Sequence, residues 1–251
     1  MKTPKIRLDE LLVERGLAEN AARAQALVMA GLVFSGEQKL TSSGGKVAAD
    51  ITVTVRGAEH PWVSRGGLKL AHGLAHFPFD PKGRVCLDLG SSTGGFTDVL
   101  LTHRAAKVYA VDVGYGQLAH KLRTDQRVVV LERTNARLLD RSQVSEDIGA
   151  VVCDASFIGL RSVLPAAMAL TTPDAWLIAL IKPQFEVAKD QVGEKGVVRD
   201  PALHAEVCDM ISLWMNAQTG WRVAGVTKSP ITGPEGNVEF LIGAARSGYA
   251  A

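Results

Sequence analysis

Residues 85–97 read V-C-L-D-L-G-S-S-T-G-G-F-T, an apolar run that carries one acid, Asp88, and then breaks into glycines at 90, 94 and 95. Apolar residues resume at helical spacing with Phe96, Val99 and Leu100. This pattern predicts a strand, a tight turn and a helix. Glycines at such a turn let a ligand approach the backbone, and a helix start offers free N–H groups. The segment therefore reads as a site for a nucleotide-type cofactor. Asp88, Gly90, Ser92, Gly94, Gly95, Phe96 and Thr97 are its candidate binding residues.

The spacing selects among cofactors. A dinucleotide fingerprint requires G-x-G-x-x-G after the strand, whereas this loop is G-S-S-T-G-G behind an aspartate. A ligand without phosphate needs less of the helix dipole and more acceptors. S-adenosylmethionine, with a sulfonium and an ammonium, is such a ligand. The plainer alternative is a strand-to-helix turn whose glycines serve packing alone. A second acid, Asp112, ends the next apolar run (107–113) roughly 20 residues on, where a carboxylate can take ribose hydroxyls.

The elements that must position these residues follow the same alternation. Predicted strands cover 85–89, 107–113, 128–132, 148–154 and 175–182, with helices at 96–103, 116–123, 160–170 and 201–217 between and after them. Continuous apolar strands alternating with helices predict a mostly parallel sheet covered on both faces. Ligands of such sheets sit outside the carboxyl ends of the strands. Asp88, Asp112, Asn135, Asp154 and Lys182 all fall at those ends.

The chain of 251 residues, 47% of them hydrophobic, suffices for one substantial core and a small second unit. Cys86, Cys153 and Cys208 have no paired spacing, so neither a disulfide framework nor a metal site is expected. No apolar run approaches the ~20 residues of a membrane span, and M-K-T-P-K-I-R-L-D-E is not a signal peptide; the expected location is the cytoplasm. The net charge of +2 arises in residues 1–58, which hold eight Lys/Arg against six Asp/Glu; the rest holds twenty of each. That asymmetry leans towards nucleic acid.

Within residues 1–58, Leu8, Leu11 and Leu12 form a helix face stopped by Gly16. Asn20 caps a second helix with Ala24, Leu27 and Val28, stopped by Gly31, and short strands follow at 32–34 and 51–55. The order R-L-D-x-x-L-x-x-x-G-L, then A-R-A-x-x-L-V-x-x-G-x-V, resembles the S-four-type RNA-binding domain of a small-subunit ribosomal protein, pseudouridine synthases and bacterial tyrosyl-tRNA synthetases. The usual V-N-G ending is here Phe34-Ser35-Gly36. The resemblance implies an RNA-facing pair of helices with Arg7, Arg15, Arg23 and Lys39 as contacts that position RNA more than they read it.

Residues 59–65 form a linker in which Trp62 is an anchor, and Ser64 can cap a helix over 65–76 that displays Lys69. The motifs S-R-G-G-L-K-L (64–70), D-L-G-S-S-T-G-G-F-T (88–97), C-D-A-S-F (153–157), K-P-Q-F-E (182–186), G-E-K-G-V-V-R-D (193–200) and N-V-E-F (237–240) together resemble the TlyA family, haemolysins by historical name that act as FtsJ-like ribosomal RNA 2′-O-methyltransferases. The resemblance runs over about 5–245 and implies an S-four-type domain at 1–58 and, at 66–251, a Rossmann-like seven-stranded methyltransferase domain. The family's linker often carries an arginine where this chain has His60.

The resemblance further implies a catalytic tetrad of Lys69, Asp154, Lys182 and Glu239. A ribose hydroxyl must lose its proton as it attacks a methyl group, and a lysine accepts that proton only when neutral, which burial and a second lysine promote. Lys182 is the implied base, Lys69 and Asp154 tune and position it, and Glu239 orients the pair. Asp154-Ala-Ser-Phe157 lacks the D-P-P-Y of amino-nitrogen methylation, and Cys153 is inside its strand rather than placed as a nucleophile for base carbon. Arg133, Arg137 and Arg141, spaced by four, suggest an RNA-facing stripe; Arg65, Lys195 and Arg199 are further RNA candidates, the last two on a mobile loop at 193–200. The expected activity is S-adenosylmethionine-dependent methylation of a ribose, at cytidine by resemblance, in ribosomal RNA or ribosomal subunits by a metal-free protein that is more simply a monomer. The competing readings are a non-catalytic assembly factor on the same fold and a pore-forming haemolysin.

Overall fold

A computed structural model describes residues 4–18, 20–55 and 60–249. Two compact units divide the chain, Met1–Pro61 and Trp62–Ala251.

The first unit holds β1 (Lys5–Arg7), α1 (Leu8–Glu14), α2 (Ala21–Met29), β2 (Val33–Ser35), β3 (Gln38–Lys39), β4 (Lys46–Ala48) and β5 (Thr54–Val55). β1 pairs with β4, and β3-β2-β5 form a second antiparallel sheet. Leu8, Leu11, Leu12, Ala24, Leu27 and Val28, the apolar positions at helical spacing, are all buried together with Val33. Asn20 caps α2 as expected, its side chain accepting from Arg23 N at 2.9 Å. The strand predicted over 51–55 shortens to Thr54–Val55.

The second unit starts with α3 (Gly66–His76) and continues through β6 (Val85–Leu89), α4 (Gly95–Thr102), β7 (Lys107–Val111), α5 (His120–Arg123), β8 (Val128–Leu131), β9 (Ile148–Cys153), α6 (Leu160–Met168), β10 (Thr171–Ile181), α7 (Pro201–Asn216), β11 (Trp221–Lys228) and β12 (Phe240–Arg246). Seven strands form one sheet in the order β11-β12-β10-β9-β6-β7-β8. Only β12 runs antiparallel to its neighbours, which makes the sheet mostly parallel. One buried cluster on each face, one around α6 and α7 and the other around α3 and α4, accounts for the unbroken apolar strands. The order reverses beside β6, so the carboxyl ends of β6 and β9 flank a crevice.

Three local expectations need correction. The helix expected over 116–123 is confined to His120–Arg123, because the preceding segment is a turn in which Gly114 N and Gly116 N are held by Asp112 and Glu132. Ser64 does not cap α3: Arg65 occupies the cap position, and no side-chain cap bond is present. Residues 133–141 form only one 3₁₀ turn (Ala136–Leu138), so the three arginines do not make a helical stripe.

Candidate active site

The β6–α4 turn is built by two glycines that other residues could not replace. Gly90 has φ +79°, and a Cβ there would lie 2.8 Å from the Ala155 Cα. Gly94 has φ +95° and precedes the first turn of α4, where a side chain would meet Leu118 and Leu122. The loop thus runs flush against the start of the β9–α6 connection. Asp88 is fully buried in β6 and accepts from Thr97 Oγ1 at 2.7 Å, fastening strand to helix beneath the loop. Among the described residues its Oδ1 has no hydrogen-bond partner, and burial pushes the carboxyl up to about 7.

Above the loop the crevice has two adjoining compartments. One, of about 340 Å³, is lined by Gly90, Ser92, Val111, Asp112, Val113, Gln117, Asn135, Asp154, Phe157 and Ile158 among others. The other, of about 260 Å³, is lined by Ser64, Arg65, Lys69, Gly95, Phe96, Lys182 and Glu239. Gly90, Ser92, Asp154 and Ser156 border both. Among the predicted cofactor residues, Gly90, Ser92, Gly95, Phe96, Asp112, Asn135 and Asp154 face this crevice. Asp88, Gly94 and Thr97 do not line it and act beneath it on the shape of the turn.

The larger compartment suits an adenosine group that carries no phosphate. Val111, Ala136, Ile158 and Val163 supply apolar wall, and its lining holds no lysine or arginine. Asp112 is half-buried, with Oδ2 accepting from Ser92 N at 2.8 Å and Oδ1 from Gly114 N at 2.7 Å. Those bonds fix the carboxylate while its remaining lone pairs stay available for hydroxyls. Asn135 caps the 3₁₀ turn, accepting from Arg137 N.

The smaller compartment is floored by four charges in a row. Glu239 Oε2 is 2.6 Å from Lys69 Nζ, Lys69 Nζ is 3.5 Å from Asp154 Oδ2, and Asp154 Oδ1 is 2.6 Å from Lys182 Nζ. Asp154 Oδ1 is in ion-pair contact but off hydrogen-bond geometry, and Glu239 Oε1 has no hydrogen-bond partner among the described residues. Lys69, Lys182 and Glu239 are buried, whereas Asp154 remains part-exposed. Two cations and two anions cancel, as a buried cluster requires. Asp154, Lys182 and Glu239 each lie one residue outside a strand, after β9, after β10 and before β12, while Lys69 projects from the first turns of α3. Lys182 Nζ also donates to Asp154 O at 3.1 Å and Ser156 Oγ at 2.9 Å.

The sequence assigns no site role to Ser156, Ser64 or Gln117, which line the crevice. Ser156 stands inside the C-D-A-S-F motif, which drew notice for what it lacks, and Gln117 is marked by nothing but proximity to the Asp112 turn.

The RNA candidates are scattered. Arg7 pairs with the buried Asp9 at 2.7 Å, and Arg15 donates to the carbonyls of Ile51 and Ala49, so both are committed to the first unit's own structure. The Arg23 and Lys39 side chains are exposed there. In the second unit Arg65 donates to Thr232 O at 2.6 Å at the cleft rim. Arg133 stacks over Tyr115 at 4.3 Å, Arg137 is exposed, and Arg141 pairs with Asp147. Lys195 is exposed, and Arg199 borders a separate groove with Lys228 and Phe240. The loop at 193–200 is pinned rather than loose: Val197 and Val198 are buried, and Asn237 binds Val198 N and Gly196 O. No group of metal-ligating residues occurs among the described residues, nor does any helix among them have the length and apolarity to cross a membrane.

The 16S/23S rRNA (cytidine-2′-O)-methyltransferase TlyA of Mycobacterium tuberculosis is 47% identical over 240 residues, covering 95% of this chain and 89% of its own. YqxC of Bacillus subtilis is 49% identical over 244 residues, covering 96% of this chain and 86% of its own. The solved structure of a hemolysin-named protein from Streptococcus thermophilus superposes with a TM-score of 0.76 at 38% identity, over 98% of this chain and 90% of that one. The model of the FtsJ-like methyltransferases matches residues 62–246, the span that carries the seven-stranded sheet and the four-charge row. The chain therefore belongs to the FtsJ-like methyltransferase family.

Proposed function

We propose that the protein methylates a ribose 2′-oxygen, at a cytidine of ribosomal RNA, with S-adenosylmethionine as methyl donor. The observation that carries this reading is the row Glu239–Lys69–Asp154–Lys182 along the compartment beside the adenosine-shaped one. Asp112 and Gln117 would hold the ribose of the cofactor, Val111, Ala136 and Ile158 its base, and Asp154 and the Gly90–Ser92 backbone its amino-acid end. Bound there, the sulfonium supplies an electrophilic methyl group.

The chain's own residues supply the rest. Lys182, in its neutral form, takes the proton of the attacking hydroxyl. Asp154 holds Lys182 by the ion pair and by its main-chain carbonyl, and Glu239 holds Lys69 on the far side of Asp154, so neither amine can swing away. Burial of both lysines keeps water from competing for the proton. The 47% identity to a cytidine-2′-O-methyltransferase of ribosomal RNA supports the substrate, and the two-helix N-terminal unit, with Arg23 and Lys39 exposed, is the region we assign to RNA contact alongside Arg65 and Arg137.

The test is methyl transfer from labelled S-adenosylmethionine to purified ribosomal subunits, followed by mapping of 2′-O-methyl positions. We expect one or a few cytidines to gain label, and Lys182→Ala to abolish transfer while calorimetry still detects cofactor binding. Label on a base nitrogen or carbon, or wild-type turnover in Lys182→Ala, would refute the assignment.

A further inference from the structure

The Lys182 ammonium donates two hydrogen bonds, to Asp154 O at 3.1 Å and to Ser156 Oγ at 2.9 Å, and its third close neighbour, Asp154 Oδ1 at 2.6 Å, is an ion-pair contact off hydrogen-bond geometry. The three are not equivalent. A carboxylate and a main-chain carbonyl only accept, whereas a hydroxyl both accepts and donates. When Lys182 is neutral it has two hydrogens and one lone pair. A lone pair aimed at either Asp154 oxygen would face another lone pair. Aimed at Ser156 it can receive the Ser156 hydrogen. The two remaining hydrogens then stay on the Asp154 side, one on the main-chain carbonyl and one beside the carboxylate.

Ser156 also stands where such a lone pair is useful. It is exposed, it borders both compartments, and among the described residues its hydroxyl has no partner besides Lys182. Asp154 is the other side chain at that border in contact with Lys182, and it cannot carry a proton between two atoms while it remains an ion-paired carboxylate.

We infer that Ser156 is a catalytic proton relay between the substrate hydroxyl and Lys182. As the ribose oxygen attacks the methyl carbon, its O–H bond breaks and the proton passes to Ser156 Oγ. The former Ser156 O–H bond breaks in the same movement and a new N–H bond forms on Lys182. The electron pair of the ribose O–H bond stays on the oxygen and makes the new O–CH₃ bond, while the S–CH₃ pair leaves with the sulfur, turning sulfonium into thioether. Ser156 ends as it began, and Lys182 ends as an ammonium donating to Ser156 and to the Asp154 carbonyl, with its charge paired by the Asp154 carboxylate. The inference rests on the proposed 2′-O-methyl transfer.

The test compares wild type, Ser156→Ala and Ser156→Thr on ribosomal subunits. Proton transfer by a positioned group is worth about 10²–10⁴-fold, so we expect Ser156→Ala to lower kcat at least 10-fold. KM for both substrates and the melting temperature should stay near wild type. Ser156→Thr, which restores a hydroxyl, should recover most of the loss. In mixed H₂O and D₂O the wild-type single-turnover rate should curve with deuterium fraction, as two protons in flight require, and Ser156→Ala should be linear. An Ala variant within twofold of wild type, a Thr variant as impaired as Ala, or a linear wild-type plot would overturn the relay while leaving methyl transfer intact. If wild type transfers no methyl group, or Lys182→Ala keeps full activity, the underlying reaction assignment fails and the relay with it.

Discussion

Lys69→Met isolates the electrostatics of the four-charge row. The methionine keeps the length of the lysine stem and removes its charge. Glu239 is 1% exposed, and its Oε2 is held by Lys69 at 2.6 Å while Oε1 has no hydrogen-bond partner among the described residues. Without Lys69 the carboxylate is a buried charge with neither oxygen bonded among the described residues. Removing one member of a buried pair costs about 3–5 kcal/mol, most of it the stranded partner rather than the lost attraction. For a unit of this size that corresponds to a fall in Tm of roughly 6–20 °C. Adding Glu239→Gln removes the stranded charge, so Lys69→Met/Glu239→Gln should be more stable than Lys69→Met alone, with a coupling of about 1–3 kcal/mol. Urea unfolding followed by tryptophan fluorescence reads this unit selectively, because Trp62, Trp176, Trp214 and Trp221 all belong to it. A loss under 1 kcal/mol in Lys69→Met, or a double variant that loses the full sum of the singles, would refute the argument that Lys69 serves Glu239.

The remaining expectations concern the turn and the first unit. Burial raises the Asp88 carboxyl from 3.8 to about 7; the native state therefore binds the proton more tightly than the unfolded chain, and stability contributed below about pH 4 is lost as pH rises to 7. Asp88→Asn removes that loss, so its stability relative to wild type should improve by about 2–3 kcal/mol between pH 5 and 8 in urea titrations; a pH-independent difference would contradict it. Gly90→Ala should lower cofactor affinity at least tenfold by calorimetry, since the new Cβ sits 2.8 Å from the Ala155 backbone at a φ of +79°. Asp112→Asn should weaken cofactor binding by about 10-fold through one lost charged hydrogen bond while kcat at saturation changes little. Arg15→Ala should destabilise the first unit by about 1 kcal/mol, because two carbonyls of the 49–51 segment lose their donor, and RNA affinity measured by filter binding should change less than in Arg23→Ala.

How far these features can be read from residues alone depends on the range of the physics that makes them. The strands expected over 85–89, 128–132 and 148–154 and the cap at Asn20 follow from patterns within a few residues, and they stand within one residue of expectation. The helix at 116–123 does not, because beside the local Asp112–Gly114 bond it is Glu132, 16 residues on, that holds the amide of Gly116 in a turn. The arginine spacing at 133, 137 and 141 has the period of a helix without the apolar face that would bury one. Lys69 and Glu239, 170 residues apart, are neighbours only because β12 inserts beside β10 and aims its start at α3; no local pattern encodes that meeting, and only the family resemblance brought them together. Ser156 marks the remaining gap. Its type and its place beside Asp154 are visible in the sequence, but its role depends on its hydrogen bond to Lys182, 26 residues away, and that contact exists only in three dimensions. Contacts of the same kind separate Asp88 from Asp154. Both are acids at the ends of adjacent central strands, yet one has a threonine hydroxyl as its partner and lies beneath the loop, while the other faces two lysines and the crevice. Position at a strand end makes a residue a candidate, and the partners on its two oxygens decide whether it supports the site or takes part in it.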